Sequence, residues 1–393
     1  MAAYSVPGLY WDKPLSPRPV SALETGVPVF FGYAKPRQES RTSRHPWSLL
    51  TTWEEFGNAF TWEEANGYLA PAVAGFFQNG GHRCYVMPLS DGTSPQQALT
   101  DGLDQASRLE GPDLVCAPDI MRDIGNGGQA NAAMIREMQY LVLTHCNRLA
   151  DRFAILDSRP DVLNHEVVDA RRGLVSENGA LYYPWVRVEH DAGAAKAGVP
   201  PCGHVAGVYA RTDADVGMFK APANEALEGV VDLTAHLTDE EQGPLNELGV
   251  NCLRSFGARG IRVWGARTLS GLTAWRYVNV RRLFITLGRW IRRYQADICF
   301  ESHTEELWAR IERDVTVYLG ELFRRGALKG DGPGQAFYVK CDAETNASLR
   351  REQGHLMTEI GLCARVPGEF IVVQLFQKPD GVQLAAIPET DRT

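Results

Sequence analysis

The chain lacks the long apolar run that a membrane-spanning helix requires. Its longest apolar stretch, Leu69 to Phe77, is far shorter than the roughly 18 residues that such a helix needs. The first eight residues, Met-Ala-Ala-Tyr-Ser-Val-Pro-Gly, have neither the basic flank nor the apolar core of a secretory signal. These absences predict a protein without membrane insertion that is made and kept in the cytoplasm, or leaves it by lysis.

Clustered cysteines are also lacking. The 8 cysteines are spread almost evenly over 393 residues and never form a Cys-x-x-Cys pair, whereas zinc sites and disulfide frameworks need clustered thiols. Cys202 and His204 have no second pair of ligands at a useful spacing. The sequence therefore predicts buried, reduced thiols, with no metal and no cofactor.

The chain also lacks an excess of positive charge. The chain has 40 Lys and Arg residues against 48 Asp and Glu residues, a net charge of −8. A global attraction to nucleic acid is therefore not expected, and any basic function must be local.

Motifs for catalysis are lacking as well. The loop Gly125–Gly128 lies well beyond the preceding predicted strand, whereas a dinucleotide-binding loop follows its strand directly. The histidines have no nucleophile-elbow context. The sequence predicts that the chain is not an enzyme, and leaves open only a triad assembled in space.

The chain does have the composition of a globular protein, with 44% hydrophobic and 22% charged residues. Its length suits two or three domains. Residues 191–251 are rich in Gly, Ala and Pro and are interpreted as a connection rather than core. Before them, helical patterns alternate with strand patterns, which favours an α/β domain with a parallel sheet. These strands are predicted at Val27–Tyr33, Cys84–Met87, Leu114–Ala117 and Phe153–Leu156.

The C-terminal part predicts a different architecture. Ser302 and Glu305 suit a capping box at the start of a helix that ends near Gly326. Three strand patterns follow, which favours an α+β domain with an antiparallel sheet. The predicted division is an extended N-terminal arm (1–26), an outer α/β domain (27–238), a C-terminal α+β domain (239–376) and an extended tail (377–393). The predicted C-terminal strands are Phe337–Cys341, Leu356–Cys363 and Phe370–Phe376.

Both ends of the chain are predicted to be extended. Five prolines within the first 28 residues forbid a helix there. Extended arms can add strands to the exposed sheet edge of another subunit. A strand folded back on its own domain is the alternative. The apolar residues that such contacts would bury are Tyr4, Val6, Leu9, Tyr10 and Trp11 in the arm, and Val382, Leu384 and Ile387 in the tail.

Residues 275–296 predict an amphipathic helix with one apolar face and one arginine face. No Asp or Glu lies among these 22 residues. We interpret the arginine face as a contact surface for an acidic partner. The alternatives are a solvated face, or arginines paired with acidic residues elsewhere in the fold. The arginines of this face are Arg281, Arg282, Arg289, Arg292 and Arg293.

Several segments are specific enough to indicate a family. The longest is Leu245–Arg254 (LNELGVNCLR), which continues through Arg259–Ser270 (RGIRVWGARTLS) to Trp275–Arg282 (WRYVNVRR). Through these segments the whole chain resembles the contractile tail sheath family of phage tails, R-type pyocins and related contractile injection systems. Shorter segments that agree are Pro7–Tyr10, Phe76–Gly81, Tyr182–Trp185, Gly203–Asp213 and Ala221–Asn224.

The resemblance implies a structural subunit that stacks helically around an inner tube, exchanges strands with its neighbours and contracts. Its implied partners are further copies of itself, the inner tube protein, the baseplate and tail-terminator or cap proteins. The particle would assemble in the cytoplasm as a phage tail or as an extracellular or cell-associated contractile machine. In the family a helix of the C-terminal domain faces the tube, and the helix at 275–296 is the candidate here. Family members commonly carry acidic residues in its second half, so this contact would have reversed charge or serve another surface.

Two alternatives stay open at this point. A type VI secretion sheath has an N-terminal helix gripped by an unfoldase, and the absence of such a helix before the arm favours a phage tail or a single-use injection system. A nucleic-acid-binding protein would use the arginine-faced helix.

Overall fold

The computed structural model describes residues 23–37, 45–62, 67–122, 132–160, 164–189, 198–296, 298, 301–353, 355–364, 370–378 and 381–386. These residues form two compact units: a first unit from Glu24 to Tyr294, and a second unit with Leu23 and the described residues from Gln295 onward. The five apolar arm residues Tyr4 to Trp11, the loop Gly125–Gly128, Cys299 and Ile387 lie outside the described residues.

The first unit alternates helices and strands. Its helices are α1 (Trp53–Ala59), α2 (Leu69–Gln78), α3 (Pro95–Ala106), α4 (Ala132–Leu149), α5 (Asn164–Arg172), α6 (Cys202–Asp215), α7 (Asp239–Glu247) and α8 (Val278–Ala296), whose last two residues belong to the second unit. Its strands are β1 (Pro28–Gly32), β2 (Lys35–Pro36), β3 (Ser48–Leu50), β4 (Phe60–Thr61), β5 (Cys84–Pro88), β6 (Leu114–Cys116), β7 (Phe153–Asp157), β8 (Gly179–Tyr183), β9 (Val186–Val188), β10 (Gly198–Val199), β11 (Glu225–Ala226), β12 (Val230–Leu233), β13 (Val250–Phe256) and β14 (Gly260–Trp264).

A nine-stranded sheet organises this unit, in the order β11-β14-β13-β8-β7-β6-β1-β5-β3. The six strands from β13 to β5 are parallel to one another, which confirms the predicted parallel sheet. Strands β3, β14 and β11 add antiparallel edges. Central strands such as β1 and β7 are buried along their whole length, as expected when helices cover both faces of a sheet.

The division between the units differs from the predicted boundary at 238/239. Strand β13 pairs in parallel with β8, with Val250 opposite Leu181 and Cys252 opposite Tyr183. Residues 250–264 therefore continue the sheet of the first unit, and the division falls after Tyr294.

Helix α6 overturns the interpretation of residues 191–251 as a connection. Most of its residues are buried, and it packs against α2. The close approach depends on glycine: a Cβ on Gly203 would lie 2.0 Å from the Ala72 carbonyl oxygen, and one on Gly207 would lie 2.5 Å from that of Phe76. The small residues of this segment therefore reflect tight helix packing and not a loop.

The second unit is α+β, as predicted. Helix α9 begins after Thr304, whose hydroxyl accepts from the Leu307 amide, so Ser302 is not the capping residue. The strands form an antiparallel sheet in the order β15-β16-β17-β18. The elements of the described part are α9 (Glu305–Arg324), α10 (Pro333–Ala336), β15 (Phe337–Lys340), α11 (Ser348–Glu352), β16 (Leu356–Leu362), β17 (Ile371–Lys378) and β18 (Gly381–Ala386).

The tail residues Val382 and Leu384 lie in β18. This strand forms a hairpin with β17 of the same chain, with Val382 opposite Gln377 and Leu384 opposite Leu375. Donation of a tail strand to another subunit stays a prediction.

Candidate functional site

Helix α8 carries the five arginines that were predicted to form a contact face. Three of them, Arg281, Arg282 and Arg289, are only 6%, 2% and 9% exposed. Arg292 is half-buried and Arg293 is exposed. The helix is therefore buried on both sides over most of its length. The buried members of its apolar face are Val280, Leu283, Phe284, Leu287 and Ile291.

Arg282 lies between two buried carboxylates from distant parts of the first unit. It donates to both carboxylate oxygens of Asp213, at 2.7 and 2.5 Å, and to Asp113 Oδ2 at 2.9 Å. Its guanidinium also lies over the ring of Tyr209, 5.0 Å from the ring centroid. Burial lowers the pKa of Arg282, but Asp213 and Asp113 raise it by more, so the pKa lies above its ordinary value. The guanidinium stays charged and compensates carboxylates that would otherwise be costly to bury.

Arg281 is also paired within the chain. Its Nη2 lies 2.9 Å from Glu177 Oε1, and its Nε donates to Asn178 Oδ1 at 2.7 Å. The guanidinium lies over the ring of Trp275, 4.8 Å from the centroid. These contacts attach the start of α8 to the loop before β8.

Arg289 and Arg292 are held mainly by backbone carbonyls. Arg289 donates to the Gly111 oxygen at 2.8 Å, and Arg292 donates to the Leu149 oxygen at 2.7 Å. Arg292 Nη1 also lies 3.6 Å from Asp151 Oδ2.

These contacts correct the expectation of an exposed arginine face. Arg281, Arg282 and Arg289 are satisfied inside the first unit, so the alternative of pairing within the fold is the right one for them. A partner contact stays a prediction for Arg293 and, at the edge of the same face, for Arg292. Sequence reasoning missed Asp113 and Asp213. The available signal was that Asp213 lies within the segment Cys202–Asp215, which is rich in small and apolar residues and where an unpaired carboxylate would be costly.

Asp119 fills the crevice in which doubly wound sheets usually bind a ligand. Strand β5 pairs with one side of β1, and β6, which comes later in the chain, pairs with the other side, so the strand order reverses at β1. In open parallel sheets, ligands bind beyond the carboxyl ends of the strands at such a reversal. The Asp119 carboxylate accepts from the amides of Tyr33 at 2.7 Å and Tyr68 at 2.5 Å. A Cβ on Gly32 would lie 2.6 Å from its Oδ2. The carboxylate thus occupies the place of an anionic ligand in front of α2.

A second buried aspartate closes the end of β7. Asp157 accepts from the amide of Cys202, the first residue of α6, at 2.8 Å. Burial raises the pKa of Asp119 to about 6 and that of Asp157 to about 7. Both carboxylates accept from amides at helix N-termini, which gives them a structural role.

Two buried histidines of the first unit, His145 and His204, do not have the environment of a catalytic base. Burial lowers the pKa of His145 and of His204 to about 4. Neither ring nitrogen of either residue has a hydrogen-bond partner, whereas a triad requires a base that is hydrogen-bonded and oriented.

The described part of the chain was also compared with the predictions for metal-binding groups and cysteines. Among them, no group of three or more His, Cys, Asp or Glu side chains is placed to hold a metal ion. The seven described cysteines are free and buried, as predicted. In the same part of the chain, no helix is long and apolar enough to span a bilayer.

Comparison with known proteins places this fold in one family. The profile of the phage tail sheath protein central domain matches residues 101–269. The tail sheath protein of Burkholderia phage BcepMu is 28% identical over 191 residues, which cover 46% of this chain and 39% of that protein. The chain spans between 36% and 60% of the length of the curated relatives it matches.

Solved sheath structures match over nearly the whole chain. The contracted helical sheath of the anti-feeding prophage is 30% identical with a TM-score of 0.71, and the match covers 94% of this chain and 98% of that chain. The contracted PVC sheath complex of an extracellular contractile injection system is 29% identical with a TM-score of 0.71, at coverages of 97% and 99%. Because the anti-feeding prophage sheath is 30% identical and is covered over 98% of its length, the chain belongs to the contractile tail sheath family.

Proposed function

We propose that the chain is a sheath subunit that polymerises helically around an inner tube and contracts to drive that tube through a target envelope. The observation that carries this proposal is the match over 98% of the anti-feeding prophage helical sheath subunit. A contracting sheath needs subunits with two packings and a tether between them. The assembled sheath would be part of a phage tail or of an extracellular contractile particle.

The second unit supports the part of the proposal that concerns strand exchange. Its sheet ends in β15 and β18, and each of these end strands has one neighbour within the described sheet. An extended segment of another copy can pair with such an edge. The arm residues Tyr4 to Trp11 are the first segment proposed for this role. The second is the tail segment from Val382 to Ile387, which contains β18; its donation requires β18 to leave β17 of its own chain for the equivalent strand of another copy.

The other proposed partners are the inner tube, the baseplate and tail-terminator or cap proteins. The exposed Arg293 and the half-buried Arg292 are the arginines of α8 that could reach a tube or a neighbouring subunit. The nucleic-acid-binding alternative was based on an exposed arginine face, and it loses this basis because the other three arginines of that face are buried. The type VI alternative gains no specific support from the two sheaths described above, which belong to the anti-feeding prophage and an extracellular injection system.

Negative-stain electron microscopy tests the proposed function. The purified chain is expected to form rings or long tubes, and deletion of residues 1–20 is expected to abolish them while the thermal melt of the first unit is retained. Deletion of residues 388–393, which leaves the proposed tail strand intact, is the matched control and should still give tubes. A monodisperse monomer that behaves the same with and without residues 1–20 would refute the proposal.

A further inference from the structure

Four residues, Glu24 to Val27, lead the chain into β1, and each of them is held in place. The amides of Gly26 and Val27 donate to the Asp113 carboxylate at 3.1 and 2.7 Å. The Val27 carbonyl accepts from the Asp113 amide at 3.0 Å. The Thr25 side chain hydrogen-bonds to Asp213. This short segment is therefore tied to the same two carboxylates that bind Arg282.

Arg282 fixes these two carboxylates in a fully buried position. It is 2% exposed and hydrogen-bonds to both Asp113 and Asp213. Without it, two like charges would face each other in the interior, where charge repulsion is weakly screened. The hydrogen bonds to Thr25, Gly26 and Val27 thus depend on a residue of α8.

Arg289 holds the other end of the segment. It lies two helical turns after Arg282 and on the same side of α8. It donates to the Glu24 carbonyl at 3.3 Å and to the Gly111 carbonyl at 2.8 Å. The Glu24 carboxylate is paired at the surface with Arg83 at 2.5 Å. Two arginines of one helix face therefore grip both ends of the segment.

Gly26 makes the fit close. Its φ is +75°, in the left-handed region that favours glycine. A Cβ at this position would lie 2.6 Å from the Ala210 Cα in α6. The segment is pressed between α6 and α8, and its conformation is fixed on both sides.

We propose that α8 is the anchor of the N-terminal arm: Arg282 and Arg289 lock residues 24–27 to Asp113, Asp213 and the Gly111 carbonyl. Tension applied to the residues before Glu24 then passes into α8 and into β1 of the nine-stranded sheet, and does not peel the segment away from the unit. The mechanical role rests on the proposed function, in which the arm is a tether between subunits. The lock itself does not depend on assembly.

Hydrogen exchange on the unassembled chain tests the lock. Arg289→Met keeps the aliphatic packing but removes the hydrogen bonds to carbonyls, so the peptide with Gly26 and Val27 should exchange about tenfold faster or more. Arg293→Met is the matched control, because Arg293 lies on the same helix, is exposed and should leave this peptide unchanged. Unchanged exchange in Arg289→Met, or an equal increase in both variants, overturns the lock. Arg282→Met should give a larger effect, and the Arg289 pair decides the question if Arg282→Met fails to fold.

Assembly separates the lock from the proposed function, with Arg172→Met as the control. Arg172 is an exposed arginine of α5 that hydrogen-bonds to Asp169 of the same helix. Sheaths of Arg289→Met should lose subunits under shear that leaves Arg172→Met sheaths intact, as measured by sedimentation and electron microscopy. If exchange rises but the sheaths resist shear like the control, the lock stands and the tether role of the arm is overturned. If exchange is unchanged, the lock is overturned whatever the sheaths do.

Discussion

Two buried aspartates make the stability of the first unit depend on pH. Burial raises the pKa of Asp157 from 3.8 to about 7, and that of Asp119 to about 6. The folded chain therefore binds these protons more tightly than the unfolded chain does. The first unit therefore becomes more stable as the pH falls from about 7 toward 4. It loses this stability as the pH rises through the folded pKa values of Asp119 and Asp157, because charged carboxylates must then be buried.

Asp157→Asn is expected to remove most of the contribution of this residue. Its side-chain oxygen can still accept from the Cys202 amide, but it carries no charge. The free energy of unfolding of the wild-type chain should fall between pH 5 and pH 8 by about 2 kcal/mol more than that of the variant. Urea titrations at the two pH values measure this, with the exposed Asp215→Asn as control. Parallel pH profiles for the wild type and Asp157→Asn would contradict the assignment.

At the same scale, the sequence predicted that the buried arginines share a helix face but did not predict their partners. Helical periodicity states which residues share a face, and it grouped Arg281, Arg282 and Arg289 correctly. It does not state what faces them. The carboxylates that bind Arg282 lie 69 and 169 residues earlier in the chain, so the absence of acids within the helix carried no information about pairing.

At the scale of elements, the packing of α6 on α2 depends on two glycines. Gly203→Ala is expected to destabilise the first unit by about 1–3 kcal/mol, because its Cβ would lie on the Ala72 carbonyl and the helices must separate. Gly288→Ala on α8 is the control: nothing lies within 4 Å of the position that its Cβ would take, so the higher helix propensity of alanine should leave stability equal or slightly increased. Chemical denaturation compares the two. An equal effect of both substitutions would show that α6 and α2 adapt without cost.

Elements with a clear local signal were predictable from the sequence. The strands β1, β5, β6 and β7 and the helices α8 and α9 all lie close to their predicted positions, since apolar periodicity reports them directly. Helix α6 was missed because Gly and Ala are read as loop formers, although here they allow close approach. The cap of α9 shifted from Ser302 to Thr304, since both residues are capable capping residues and only the backbone geometry selects one.

At the scale of the whole molecule, the position of β13 and β14 sets the limits of the first unit. A fragment of residues 24–296 is expected to fold and melt cooperatively. A fragment of residues 27–238 should not, because it leaves β8 without its neighbour β13 and leaves Asp113 and Asp213 without Arg282. Circular dichroism melts of both fragments check this. A cooperative melt of the shorter fragment would restore the boundary predicted from the sequence.

The ion pair between Asp113 and Arg282 also has a consequence for synthesis on the ribosome. The two residues are separated by 169 positions, so a nascent chain exposes most of the parallel strands long before the compensating cation is made. Pairing over such distances is slow, and unpaired strand edges are prone to aggregation during the delay. Since residues 24–27, which carry the N-terminal arm, are locked only once α8 has emerged, we expect a growing chain to acquire a fixed arm late in synthesis, although the arm is translated first.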